Sequence, residues 1–123
     1  RIYLAHLPTK RRKELVDQYY KNSRSLPKHC GKPITREELQ PHLEAIKQDN
    51  YCAFFSDYLP EINVLSRPVF DINGSIVTVI TLLGLERDTD ISKGSLLFEQ
   101  VRECSDRVTR QICGQQRGEN GRN

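Results

Sequence analysis

The 123 residues carry 37% hydrophobic and 28% charged side chains, with 19 Lys+Arg against 16 Asp+Glu for a net charge of +3, a balance that fits one soluble globular unit. No apolar run approaches the roughly 18 residues that a membrane-spanning helix needs, and the basic excess is too small and scattered for a dedicated nucleic-acid surface. Methionine is absent and the sequence starts at Arg1, so it is expected to be a piece of a longer protein.

Ile2 to Leu7 is apolar and ends at Pro8, which predicts the close of a helix. Thr9 is placed to cap a second helix over Lys10 to Tyr20, with Leu15, Val16 and Tyr19 at core spacing and Lys10-Arg11-Arg12-Lys13 on a solvated face. Asn22 to Pro33, with two prolines and a glycine, reads as a loop. Thr35-Arg36-Glu37-Glu38 has the form of a capping box opening a third helix, whose stripe is Leu39, Leu43 and Ile46 and whose first turn contains Pro41.

Tyr51 to Phe55 reads as a short strand. Ile62 to Phe70 and Ser75 to Leu83 read as a hairpin turned by Asp71-Ile72-Asn73-Gly74, with Asn-Gly supplying positive φ angles. The second hairpin strand is apolar on both faces, so it is expected to be central and covered on both sides. From about Ser92 a long helix sets Leu97, Val101, Cys104, Val108 and Ile112 on one stripe, which makes Cys104 a core residue, and Gly114 is its expected stop. Residues 115–123, polar and Gly-rich, are expected to form a flexible tail. Helices, strands and a closing helix together predict an α+β fold, an antiparallel sheet with helices packed on one face.

Motifs for chemistry are sparse. Cys30, Cys52, Cys104 and Cys113 contain no C-x-x-C pair and read as reduced thiols of a cytoplasmic protein. His42-Leu43-Glu44 lacks the P-C-x-x-C that would complete a deaminase zinc site, and His29-Cys30 are sequence neighbours whose side chains diverge. Nucleotide, dinucleotide and hydrolase signatures are missing. Neither metal nor cofactor is expected, and no catalytic residue. An enzyme would require His29, His42 and Cys52 to converge. The apolar hairpin with a few inward polar groups instead has the composition of a small-molecule site.

Asn50-Tyr51-Cys52-Ala53-Phe54-Phe55-Ser56-Asp57-Tyr58-Leu59-Pro60, then Ile62 to Asp71 with Pro68-Val69-Phe70-Asp71, Asn73-Gly74 and Ile76 to Gly84, resembles the effector-binding domain of IclR-type transcriptional regulators. Arg1 to Pro8 resembles the second half of that family's Gly-Lys-x-x-Leu-Ala helix, and Thr35 to Tyr51 its next long helix. The resemblance covers residues 1–114 and implies a GAF-like fold, here without its N-terminal strands. It also implies a small-molecule effector, a homodimer or homotetramer, and operator DNA bound through a helix-turn-helix domain outside this chain. By position it implies ligand contacts from Phe54, Ile62, Val64, Thr81 and Leu83, with Tyr3 near the mouth. Alternation along the strands agrees, since Ile62 and Val64 share a face and so do Thr81 and Leu83.

Several departures matter. Phe54 stands where relatives that bind small carboxylates carry an acid, Val64 and Leu83 where they carry hydroxyls or a thiol, and Thr81 is left as the hydroxyl. Asn50 and Glu61 replace glycines, and Asp57 replaces a glutamate. Such a site favours a larger, partly aromatic acid, or has lost its ligand and serves only as an interaction module. Arg67 is the reserve cation, although alternation puts it on the opposite strand face.

Overall fold

The computed structural model describes residues 1–22, 28–29, 32–56 and 60–120. His29-Cys30 as a pair and Asp57 lie outside what is described. The elements are α1 (Ile2–Ala5), α2 (Thr9–Asn22), β1 (Lys28–His29), β2 (Lys32–Pro33), α3 (Arg36–Asp49), β3 (Cys52–Phe55), β4 (Ile62–Phe70), β5 (Ile76–Leu85), a 3-10 turn at Glu86–Asp88, and α4 (Leu96–Asn120). β1 and β2 form a two-residue antiparallel ladder inside the stretch expected as loop. β3, β4 and β5 form an antiparallel sheet in that order, which establishes the α+β class.

Local signals explain most boundaries. The capping box forms in full, with the Glu38 amide donating to Thr35 Oγ1 at 3.2 Å and the Thr35 amide donating to Glu38 Oε2 at 3.1 Å. Pro41 sits within the first turns of α3 without ending it. Asn50 closes α3 at φ 59°, and Glu61 takes φ 64° before β4. Asparagine is one of the few residues that visits this left-handed region readily, whereas Glu61 is held there with its carbonyl accepting from the Glu86 amide at 2.8 Å. At the hairpin turn Gly74 has a left-handed φ of 77° and Asn73 does not. Asp71 organises the turn, its Oδ1 accepting from the amides of Asn73 and Ser75.

Two core clusters lie on opposite sides of the sheet. Ile2, Ala5, Val16, Ile34, Leu39, Leu43, Ile46 and Cys52 join α1, α2 and α3 to the front face, with Phe54 and Val79 packed against them. Leu65, Ile91, Phe98 and Val101 bind α4 to the back, with Tyr51, Ala53, Ile80 and Leu82 alongside. Helices therefore flank both faces, not one. Strand alternation explains the division, because even-numbered β4 residues turn to the front and odd-numbered ones to the back.

Four further expectations change. β5 is the edge strand and β4 the central one, and Val77, Leu83 and Leu85 on β5 are exposed at 49%, 57% and 43%. Its apolar composition signalled burial that this set of elements does not supply. The buried stripe of α4 is Phe98, Val101 and Ser105, so Cys104 is exposed. The helix is thus turned by about one residue from the expected stripe, with Phe98 and Val101 in the core cluster and Ser105 Oγ accepting from Arg67 Nε at 3.0 Å. α4 also continues through Gly114 to Asn120, where Gln116 Oε1 accepts from the Ile72 amide at 2.7 Å and ties the segment expected as tail to the hairpin turn. In α2, Tyr19 is exposed and Arg12 is buried in its place, its guanidinium donating to Glu44 at 2.9 Å.

His6 fixes the end of α1. Its ring meets Phe70 edge-on at 5.1 Å, and its Nε2 is buried without a hydrogen-bond partner among the described residues. Burial holds its pKa below the usual value, and Lys47 adds to this. The unfolded chain thus takes up a proton at a pH where the folded one resists it. Stability should be constant above histidine's ordinary value of about 6.5 and fall as pH drops below it. Urea midpoints compared at about pH 7.5 and about pH 5.5 should show that fall in the wild type and a smaller one in His6→Phe. Equal slopes in the two proteins would dismiss His6 as the source.

Candidate functional site

The register of the sheet places the sequence-derived site residues in neighbouring rows. Phe54 is opposite Val64, and Val64 is opposite Leu83, so these three side chains cross all three strands in one line. Ile62 faces Leu85 in the row on one side. On the other side, Cys52 faces Ser66 and Ser66 faces Thr81. All belong to the front face. The structure thus brings Phe54, Ile62, Val64, Thr81 and Leu83 together, while Tyr3 projects from α1 with about half its surface exposed.

α1 covers the face unevenly. At one end the Arg1 guanidinium lies over the Phe54 ring, 4.8 Å from its centroid, a cation–π arrangement. At the other, His6 packs on Phe70. Between these ends Ile2 and Ala5 bury Cys52 and approach Val79. Val64 is buried, whereas Thr81, Leu83 and Leu85 remain exposed along β5. Beyond Leu85 the face runs into a cleft of about 220 Å³ lined also by Glu61, Glu86 and Arg87. Two larger clefts, about 280 and about 270 Å³, lie among α1, α2 and α3, and neither is lined by any of the five sheet residues.

Ser66 was not among the expected site residues. Its hydroxyl is 3.0 Å from Thr81 Oγ1, so the face carries two hydroxyls where sequence position suggested one. Cross-strand register was the missing information, because residues 15 apart in sequence become direct neighbours only when the hairpin closes. Cys52 is likewise absent from the expected ligand contacts, entering only as a reduced thiol and as one of three residues that an enzyme would need to converge. Burial pushes its pKa up, so it borders Ser66 as a neutral group. The face accordingly presents an apolar row beside an uncharged polar one.

Arg67 is on the back face, as alternation predicted. Its guanidinium is mostly buried, donating to Ser105 and lying 3.7 Å from Asp106, which in turn is 3.7 Å from Arg102. It is committed to α4 and does not reach the front. The same applies to Asn63, buried on the back with its side-chain amide donating to the Thr89 carbonyl at 2.9 Å. Among the described residues no group of three or more His, Cys, Asp or Glu side chains is arranged to hold a metal. None of the described helices is long and apolar enough to cross a membrane.

Comparison with solved structures gives the same fold repeatedly. HmgR of Pseudomonas aeruginosa superposes with a TM-score of 0.70 at 19% identity, over 90% of this chain and 41% of that one. The IclR of Thermotoga maritima gives 0.72 at 23%, over 90% and 43%. The inducer-binding domain of the Acinetobacter transcription factor PobR, a double mutant in complex with 3-hydroxybenzoic acid, gives 0.70 at 13%, over 88% and 60%. The chain thus spans less than two thirds of each of these structures. No curated protein matches it. The family model described as "Bacterial transcriptional regulator IclR C-terminal" matches residues 1–110, and the chain belongs to that family.

Proposed function

We propose that the front face binds an organic small molecule and that its occupancy regulates a DNA-binding transcription factor of the IclR type. The observation that carries this reading is the row Phe54–Val64–Leu83 beside the hydroxyls of Ser66 and Thr81, an apolar floor with a few convergent polar groups. Phe54, Val64 and Leu83 give the ligand an apolar body, and the complex of PobR with a hydroxylated aromatic acid makes that chemical class the first to test. Regulation follows if the ligand prefers one of two subunit arrangements, in a homodimer or homotetramer, over the other. Operator contact then comes from a helix-turn-helix unit outside these residues, and the cytoplasm is the compartment.

A panel of aromatic and aliphatic organic acids tests this by thermal unfolding. At a hundredfold excess over Kd a ligand stabilises the folded state by about 2.7 kcal/mol. Thr81→Ala and Leu83→Glu should each reduce the shift, the latter by placing a charge against the ligand's apolar part. A second reading, an interaction module that has lost its ligand, draws on the exposure of Val77, Leu83 and Leu85 along the β5 edge. It predicts no shift across the panel and a sedimentation coefficient that depends on concentration and on Leu83.

A further inference from the structure

Several hydroxyls among the described residues bond the backbone, and Ser56 and Ser92 donate to the carboxylates of Glu86 and Asp90. Thr35 caps α3, Ser95 accepts from the Phe98 amide, Thr109 accepts from the Phe70 amide, and Ser105 donates to the Arg102 carbonyl. Ser66 and Thr81 are bonded to each other, hydroxyl to hydroxyl, at the middle of the two hairpin strands. A cross-strand hydroxyl pair stabilises a sheet only slightly, by about 0.2–1 kcal/mol. Its position, flanked by Phe54, Val64 and Leu83 on one side and Pro68 and Val79 on the other, is informative about what would sit on it.

We propose that Ser66 is a specificity-determining residue, holding the Thr81 hydroxyl so that the face selects a ligand with a neutral phenolic or alcoholic hydroxyl on an apolar body. This rests on the reading of the front face as a ligand site. Whichever of the two donates, the pair retains one hydroxyl hydrogen and free lone pairs. A ligand hydroxyl, itself one donor and an acceptor, completes the pair in both roles. A carboxylate group at this point has only acceptors and meets the pair in one role, while the guanidinium nearest this face among the described residues, that of Arg1, lies over the Phe54 ring. A methyl in the same place leaves the pair unsatisfied, and sites built to bond a hydroxyl discriminate strongly against analogues lacking it. Without Ser66, Thr81 is a single rotor that serves an ether, carbonyl or hydroxyl alike.

The test uses the full natural chain and three probes of matched shape, para-ethylphenol, para-ethyltoluene and para-ethylbenzoate, titrated against the methyl resonances of Val64 and Leu83. Wild type should bind the phenol about tenfold or more tightly than the toluene, the worth of one hydrogen bond. Ser66→Ala should lower that ratio severalfold, by weakening the phenol and by removing the pair that the toluene leaves unsatisfied, and Ser66→Thr should restore it. Thr81→Val, which keeps the shape of the side chain, should have the same effect as Ser66→Ala and serves if the alanine variant does not fold. A ratio unchanged in Ser66→Ala, or a wild type that binds all three probes equally or prefers the benzoate, overturns the selection while ligand binding at the face stands. No binding of any probe overturns both.

Discussion

Leu65→Ala should produce the largest loss of stability of any single substitution considered, about 2–5 kcal/mol, the range for truncating a buried leucine. Leu65 is fully buried at the centre of β4 and is the sheet's contribution to the cluster with Ile91, Phe98 and Val101 of the back layer. Against a total of about 5–15 kcal/mol for a domain, that is a large fraction. It should be read as a lower urea midpoint at unchanged m-value. Leu85→Ala, at the rim with 43% of its surface exposed, is the control and should lose far less. Equal losses for the two would mean that α4 does not seal the back of the sheet. Because Leu65 lies between Val64 and Ser66 on the same strand, the loss should also loosen the front face and weaken any ligand bound there.

Gly84→Ala should cost about 1–3 kcal/mol by overpacking. A methyl built at Gly84 would lie 2.1 Å from Thr89 Oγ1 and 2.9 Å from Thr89 Cβ. The threonine has little freedom to move away, since its side chain is stiff at χ1 and its carbonyl is held by the buried Asn63 amide. The same strand carries Leu83 and Thr81, so displacement at Gly84 shifts the site itself. Thr89→Gly in the same chain removes the obstacle, and a double-mutant cycle should then show a favourable coupling between the two changes. A Gly84→Ala protein as stable as wild type would show that the turn from Glu86 to Asp90 gives way easily.

Much of the fold was legible in the residues. The capping box at Thr35, the boundaries of β4, and Gly74 at the turn each depend on neighbours a few positions away, where periodicity and side-chain chemistry act directly. Asn50 and Glu61, where the resemblance led one to expect glycine, both take positive φ. The family pattern was legible for the same reason, because it is carried by short ordered segments. The site was only half legible. The family resemblance grouped Phe54, Ile62, Val64, Thr81 and Leu83, and alternation agreed within each hairpin strand, but the common face of the three strands and the pairing of Ser66 with Thr81 required the register.

What the sequence alone determined is therefore local: the α+β class, the hairpin, the family, and which side of each strand a residue occupies. Tertiary structure decided which strand is central, that helices lie on both faces, and that the stripe of α4 turns on Ser105 and not Cys104. The physical reason is that hydrophobic periodicity reports how much apolar surface needs covering, while burial depends on which partner arrives. For α4 the partners are Leu65 and Ile91, which bury Phe98 and Val101, and Arg67, whose mostly buried guanidinium donates to Ser105, so that Cys104 is left exposed.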